Sequence, residues 1–117
     1  MRIGFVVGLC TLALGVQPVA AQGREASAEL LAGALDRCMV TYAVRLTKTE
    51  ASDETIYAEA DKGCRAVRDR LIAKIGQDYP ADMAAEAAKA IEAQARPNFI
   101  SLLARIRSDR AGRATGG

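Results

Sequence analysis

Apolar side chains recur at Leu31, Leu35, Cys38, Tyr42 and Leu46, at spacings of four, three, four and four residues. That rhythm predicts one face of an α-helix from Ser27 to about Lys48. A second stripe, Tyr57, Ala60, Cys64, Val67, Leu71 and Ile75, steps by threes and fours from Asp53 to about Ile75. Between the two lies Thr47-Lys48-Thr49-Glu50-Ala51-Ser52, a short polar turn. Ser52 is a good N-cap, and Asp53 and Glu54 set negative charge at the positive end of the second helix. Two helices joined by so short a turn fold back antiparallel.

In an antiparallel pair, residues whose numbers add to one constant face each other. Setting Cys38 opposite Cys64 also sets Leu31 opposite Leu71, Leu35 opposite Val67, Tyr42 opposite Ala60 and Leu46 opposite Ile56. Every rung is apolar against apolar, and the midpoint falls at Ala51, inside the turn. A disulfide needs Cα atoms about 4.4–6.8 Å apart, closer than the about 8–10 Å of ordinary helix packing. Ala34, Ala60 and Gly63 are small residues near the bridge that permit this approach. Asp61-Lys62-Gly63 also reads as a helix C-cap, but the unbroken stripe favours one continuous second helix.

Gly76 reads as the residue that ends helix two, with Asp78 as a cap and Pro80 in the first turn of a third helix. Residues 82–91 are almost pure helix former. Pro97 interrupts, yet Met83, Ala87, Ile91, Ala95, Phe99, Leu102 and Ile106 hold to one face across it. One Pro-kinked helix and two helices sharing a face fit equally well. The tail, residues 111–117, is expected to fray into a disordered end. The expectation is an all-α fold: a small helical bundle made of a disulfide-linked antiparallel helical hairpin and a third, Pro-kinked or split helix. Alanine buries little area, so the third helix covers the hairpin thinly and leaves part of its stripe open.

The first 21 residues read as an address. Arg2 precedes an apolar stretch from Ile3 to Val16, then Pro18 and Val19-Ala20-Ala21. A positive start, a short apolar run and small residues before a cleavage point make a secretory signal peptide, cut after Ala21. The apolar run is short for a membrane span, which takes about 20 residues. Cys10 raises the alternative of a lipid anchor, but Leu9 before it and apolar sequence after it do not fit that pattern. The domain then covers residues 22–110, and the location is periplasmic. Cys38 and Cys64 are the cysteines that remain, and an even count in a small exported domain reads as a disulfide.

Composition removes chemistry rather than adding it. The 117-residue chain has no His and no Trp, which excludes histidine triads, histidine-ligated metal or haem, and histidine pH switches. Its formal net charge of +2 becomes +1 once Arg2 is lost, far from a dedicated nucleic-acid binder. No serine has a base to activate it. The pairs Asp53 with Glu54 and Asp78 with Asp82 read as helix-start decoration. Cys38 and Cys64 lack the further ligands a metal site needs and the Cys-x-x-Cys spacing of a redox site. No catalytic, cofactor-binding or metal residue is nominated, and no cofactor is expected.

Basic residues gather at Arg65, Arg68 and Arg70, with Asp61 and Asp69 nearby, and at Arg105, Arg107, Arg110 and Arg113, opposed only by Asp109. The second group is the candidate contact for an anionic partner; a solvated helix end is the plainer explanation. Tyr42, Tyr57, Tyr79 and Phe99 are the aromatics beyond the leader, too few for a large ligand pocket or for nucleic-acid stacking. The expected function is that of an exported, non-enzymatic interaction or structural module of the periplasm. Its partner is another protein or a second copy, with no nucleic acid and at most slight contact with a membrane surface. An acid-stress chaperone of the envelope and an accessory subunit of an envelope enzyme are the alternatives.

Overall fold

The structure, a computed structural model, describes residues 26–116. The leader, the cleavage point after Ala21 and residues 22–25 lie outside the described residues. The Ser27 side chain accepts from the Leu30 amide at 3.1 Å and opens α1, Ala28–Leu46. Ser52 accepts from the Thr55 amide at 3.2 Å and opens α2, Asp53–Asp78, which runs unbroken through Gly63. The turn between them is closed by its own threonines. Thr47 Oγ1 donates to the Ala43 carbonyl at 2.7 Å and Thr49 Oγ1 to the Leu46 carbonyl at 2.6 Å, while the Ala51 amide donates back to Thr49 Oγ1.

The second helix does not stop at Gly76. It continues to Asp78, held in its last turn by an ion pair from Lys74 to Asp78 at 3.3 Å. Proline supplies the stop: a residue before proline is driven out of the helical region, and Tyr79 is extended with φ −127° and ψ 155°. Asp78 therefore ends α2 instead of capping the next helix. Pro80 takes the capping place without a side-chain hydrogen bond, and α3 runs from Ala81 to Thr115.

α3 is one helix with Pro97 inside it, which settles the choice between one and two. Proline withholds one backbone donor, from the carbonyl of Ala93. Pro97 and Ala93 are both exposed, so that carbonyl is left to solvent rather than buried without a partner. The helix also continues through residues 111–115, where fraying is expected; the Thr115 hydroxyl donates back to the Ala111 carbonyl at 3.0 Å and the Gly116 amide to Gly112 at 2.9 Å. No strand occurs among the described residues.

The fold is an all-α bundle in which Cys38–Cys64 joins α1 to α2 across a Cα separation of 5.9 Å. Leu31, Leu71, Cys64, Ala60 and Ile56 are buried, in keeping with the predicted rungs. The tightest core lies at the turn end, where Ala43, Ile56, Ala60, Phe99 and Leu103 cluster, one or more from each helix. Tyr57 and Phe99 meet there with ring centroids 5.7 Å apart. Leu103 is fully buried although the predicted stripe runs through Leu102, which is only half-buried.

Gly63 has a reason to be glycine. A Cβ built there would lie 2.0 Å from the Tyr42 hydroxyl, so the Tyr42 side chain lies across its backbone. Gly63→Ala should therefore fail to collect the stabilisation of about 1 kcal/mol that alanine normally brings to a helix interior. In a Tyr42→Ala background the same substitution should recover it. Urea unfolding of the double-mutant cycle reads this coupling directly, and strict additivity would remove the contact.

Candidate functional site

Three arginines of α3 grip the turn end of the hairpin. Arg107 pairs with Asp53 and Arg96 with Glu54, the two acids at the start of α2. Arg110 donates to Thr47 Oγ1 at 2.6 Å and to the Val44 carbonyl at 2.7 Å, satisfying an end of α1 that has lost its helical donors. Of the residues nominated for an anionic partner, Arg107 and Arg110 are thus occupied within the chain. Arg105 and Arg113 are exposed on α3 and make no ion pair among the described residues. The cluster in the sequence divides into two pins and two free charges. Arg96, eleven residues before Arg107 and so on the same face, completes the grip.

The other basic stretch also resolves into a structural unit. Asp61 accepts from Arg65 at 3.0 Å and pairs with Arg68 two turns on, so one carboxylate holds two guanidinium groups. Burial alone would push the Asp61 carboxyl up. The hydrogen bonds and charges of Arg68 and Arg65 outweigh that and hold it below its ordinary value. A depressed carboxyl stabilises the fold fully above its unfolded value, about 3.9, and the contribution disappears as pH falls through the lower folded value. Asp61→Asn should therefore destabilise at pH 7, and its gap from the native chain should close as pH falls through the lowered folded value. Thermal unfolding across pH measures the gap; one that persists in strong acid would assign it to packing.

An open channel lies between α1 and the alanine-rich part of α3, above the sealed core. Its larger compartment, about 440 Å³, is walled by Leu35, Met39, Val40, Leu71, Ile91 and Phe99. A second compartment of about 410 Å³ continues towards Ile75, Met83 and Ala87, sharing Ala32, Leu71 and Ile91 with the first. Arg68, Asp36, Gln94 and Asn98 supply the polar atoms along the larger one. The physical cause is the composition of α3. Ala87, Ala90 and Ala95 stand where longer side chains would close the gap, while Phe99 and Leu103 do close it further on. Met83, at the far end, is 54% exposed.

Cys38 and Cys64 are consumed by the disulfide, and no group of three or more potential metal ligands occurs among the described residues. No helix among them is long and apolar enough to cross a membrane. The outer face of α1 carries a feature that helical periodicity does not single out: Leu30, Val40 and Val44 are exposed aliphatics. The stripe through Leu31 and Cys38 already accounts for a core-facing side, so nothing in the spacing calls for another. No protein-family model matches the chain, and neither does any curated protein or solved structure.

Proposed function

We propose that this chain is an exported helical module without catalytic chemistry of its own, working in the periplasm by holding an apolar segment of another macromolecule. The channel between α1 and α3 carries this reading: about 440 Å³ of space open to solvent, apolar on most walls and edged by a few polar groups, is the form binding clefts take between helices. Export is supported by the leader read in residues 1–21 and by the disulfide, which persists in oxidising compartments. A photo-crosslinking residue at Ala95, in the full chain produced in its native host, tests the function. A discrete adduct, lost when Ile91→Glu charges the channel, is the expected result. Absence of any adduct, with the protein folded and exported, would refute it.

One observation favours a second reading, an acid-stress chaperone. α3 is tied to the start of α2 by ion pairs from Arg107 to Asp53 and from Arg96 to Glu54, and its Phe99 and Leu103 cover the core, so loosening α3 would bare apolar surface. Binding of an apolar dye between pH 7 and pH 2 separates the readings. The chaperone requires a rise in acid together with protection of a client from aggregation.

A further inference from the structure

We infer that the occupant of the channel is a basic amphipathic helix of a partner protein, seated between α1 and α3 with its cations on Glu29 and Asp36. The inference rests on the channel reading above and goes further by naming the chemistry of what fills it. The two compartments form one groove, and about 28 Å of helix separates Met83 at one end from Leu102 at the other. Val40 at its rim, with Tyr79 and Met83 at its far end, are three of the five large apolar side chains exposed among the described residues. Ala32, Ala87 and Ala90 keep the walls low between them, which lets a guest backbone come close.

The walls of the groove select a helix. They are helical throughout, so their backbone groups are already paired and offer nothing to an extended peptide. A polypeptide seated there must bring its own backbone paired, as a helix does. α1 and α3 run in the same direction past the groove, since Ala28 and Met83 share one end and Arg110 reaches Val44 at the other. A helix laid antiparallel to both sets each of its ends beside dipole ends of opposite sign. The charges then select the side chains. Glu29 lines the smaller compartment and Asp36 the larger, two turns and about 10.5 Å apart on one side of α1. Neither makes an ion pair among the described residues. Arg68 is the one base on these walls, and Asp61 already holds it. Arg37, beside Asp36 in sequence, does not line the groove; its guanidinium lies along α1 over Gly33. The rim thus presents two uncommitted carboxylates above an apolar floor. A fatty acid or phospholipid brings an anion to them, whereas a helix with lysine or arginine two turns apart beside its apolar face brings cations in register.

The test uses a fluorescent helical peptide of about 18 residues, with leucine along one face and two flanking lysines two turns apart. The same peptide with glutamate for lysine, and a fluorescent fatty acid, are the comparisons. In anisotropy titrations with the disulfide-closed chain, the lysine peptide should bind at least about tenfold tighter than the glutamate peptide, and more weakly as salt rises. Glu29→Lys combined with Asp36→Lys, both at exposed positions, should reverse that order and leave the helical circular dichroism unchanged. Ala90→Trp, which fills the groove from an exposed position, should weaken binding of the lysine peptide at least about tenfold. Equal binding of the two peptides, an order that the double variant does not reverse, or preference for the fatty acid would overturn the basic helix; where Ala90→Trp still weakens binding, the channel itself stands. No binding by any of the three, or binding untouched by Ala90→Trp, would overturn the channel reading as well.

Discussion

Replacing both bridging cysteines by alanine should lower the unfolding midpoint by about 15–25 °C. The cause lies in the unfolded chain. Cys38 and Cys64 are 26 residues apart, and closing a loop of that length removes conformational freedom equivalent to about 3–4 kcal/mol in the chain-entropy model. A domain of this size has about 5–15 kcal/mol of net stability, so the bridge supplies a large share of it. Alanine is the right replacement because Cys64 is buried, where a serine hydroxyl would add a desolvation cost unrelated to the crosslink. The consequence should be uneven along the bundle. The turn end keeps its core of Ile56, Ala60, Phe99 and Leu103, whereas the end around Leu31 and Leu71 keeps only thin cover from α3. Calorimetry of the variant, and of the native chain with and without reductant, measures the shift. A change of only a few degrees would mean that packing alone maintains the hairpin.

Leu103→Ala should cost about 3–5 kcal/mol, and Leu102→Ala, one residue away, clearly less. Leu103 is fully enclosed by residues from all three helices, so truncation leaves a cavity that neighbours on rigid helices cannot fill. Leu102 is half-buried and lines the floor of the channel, where lost atoms are replaced by solvent that is already nearby. The contrast also reports on how α3 is turned about its own axis. Chemical unfolding of the two single variants decides it, and equal costs, or a larger one for Leu102, would place the helix in a different rotation.

That pair of leucines marks where sequence reasoning runs short. The hairpin is legible because three independent signals agree: two stripes, a capped turn centred on Ala51, and cysteines at mirrored positions. Ser52, Asp53 and Glu54 announce the start of α2 through local chemistry, which needs no tertiary knowledge. α3 gives a weaker signal. Its alanines mark no face strongly, and Pro97 hides how the two halves share a rotation, so Leu102 and Leu103 cannot be told apart from spacing. Glycine's habit points to Gly76 as the end of α2, whereas the constraint from Pro80 on Tyr79 acts later in the chain. Arg107 and Arg110 look like free charge because their partners Asp53, Thr47 and Val44 lie more than fifty residues away in sequence. The channel is foreseeable as thin cover by alanine. The outer face of α1 is not, since periodicity identifies one buried side and a second apolar stripe looks redundant.

One economy of construction connects the fold to the proposed role. A short chain with few large apolar residues closes half of its bundle with Phe99 and Leu103, secures the hairpin covalently, and leaves the rest of its apolar surface accessible. The accessible part is what a binding module needs, and the crosslink allows the fold to tolerate it.

Non-reducing tryptic mapping of the full chain, expressed from Met1, bears on all of this at once. Cleavage after Arg37, Arg45, Lys62 and Arg65 should yield residues 38–45 joined to residues 63–65 as one species, separated by reductant, with the chain beginning at Gln22. Free thiols at both positions, or a bridge from either cysteine to any other partner, would contradict the hairpin on which the channel is built.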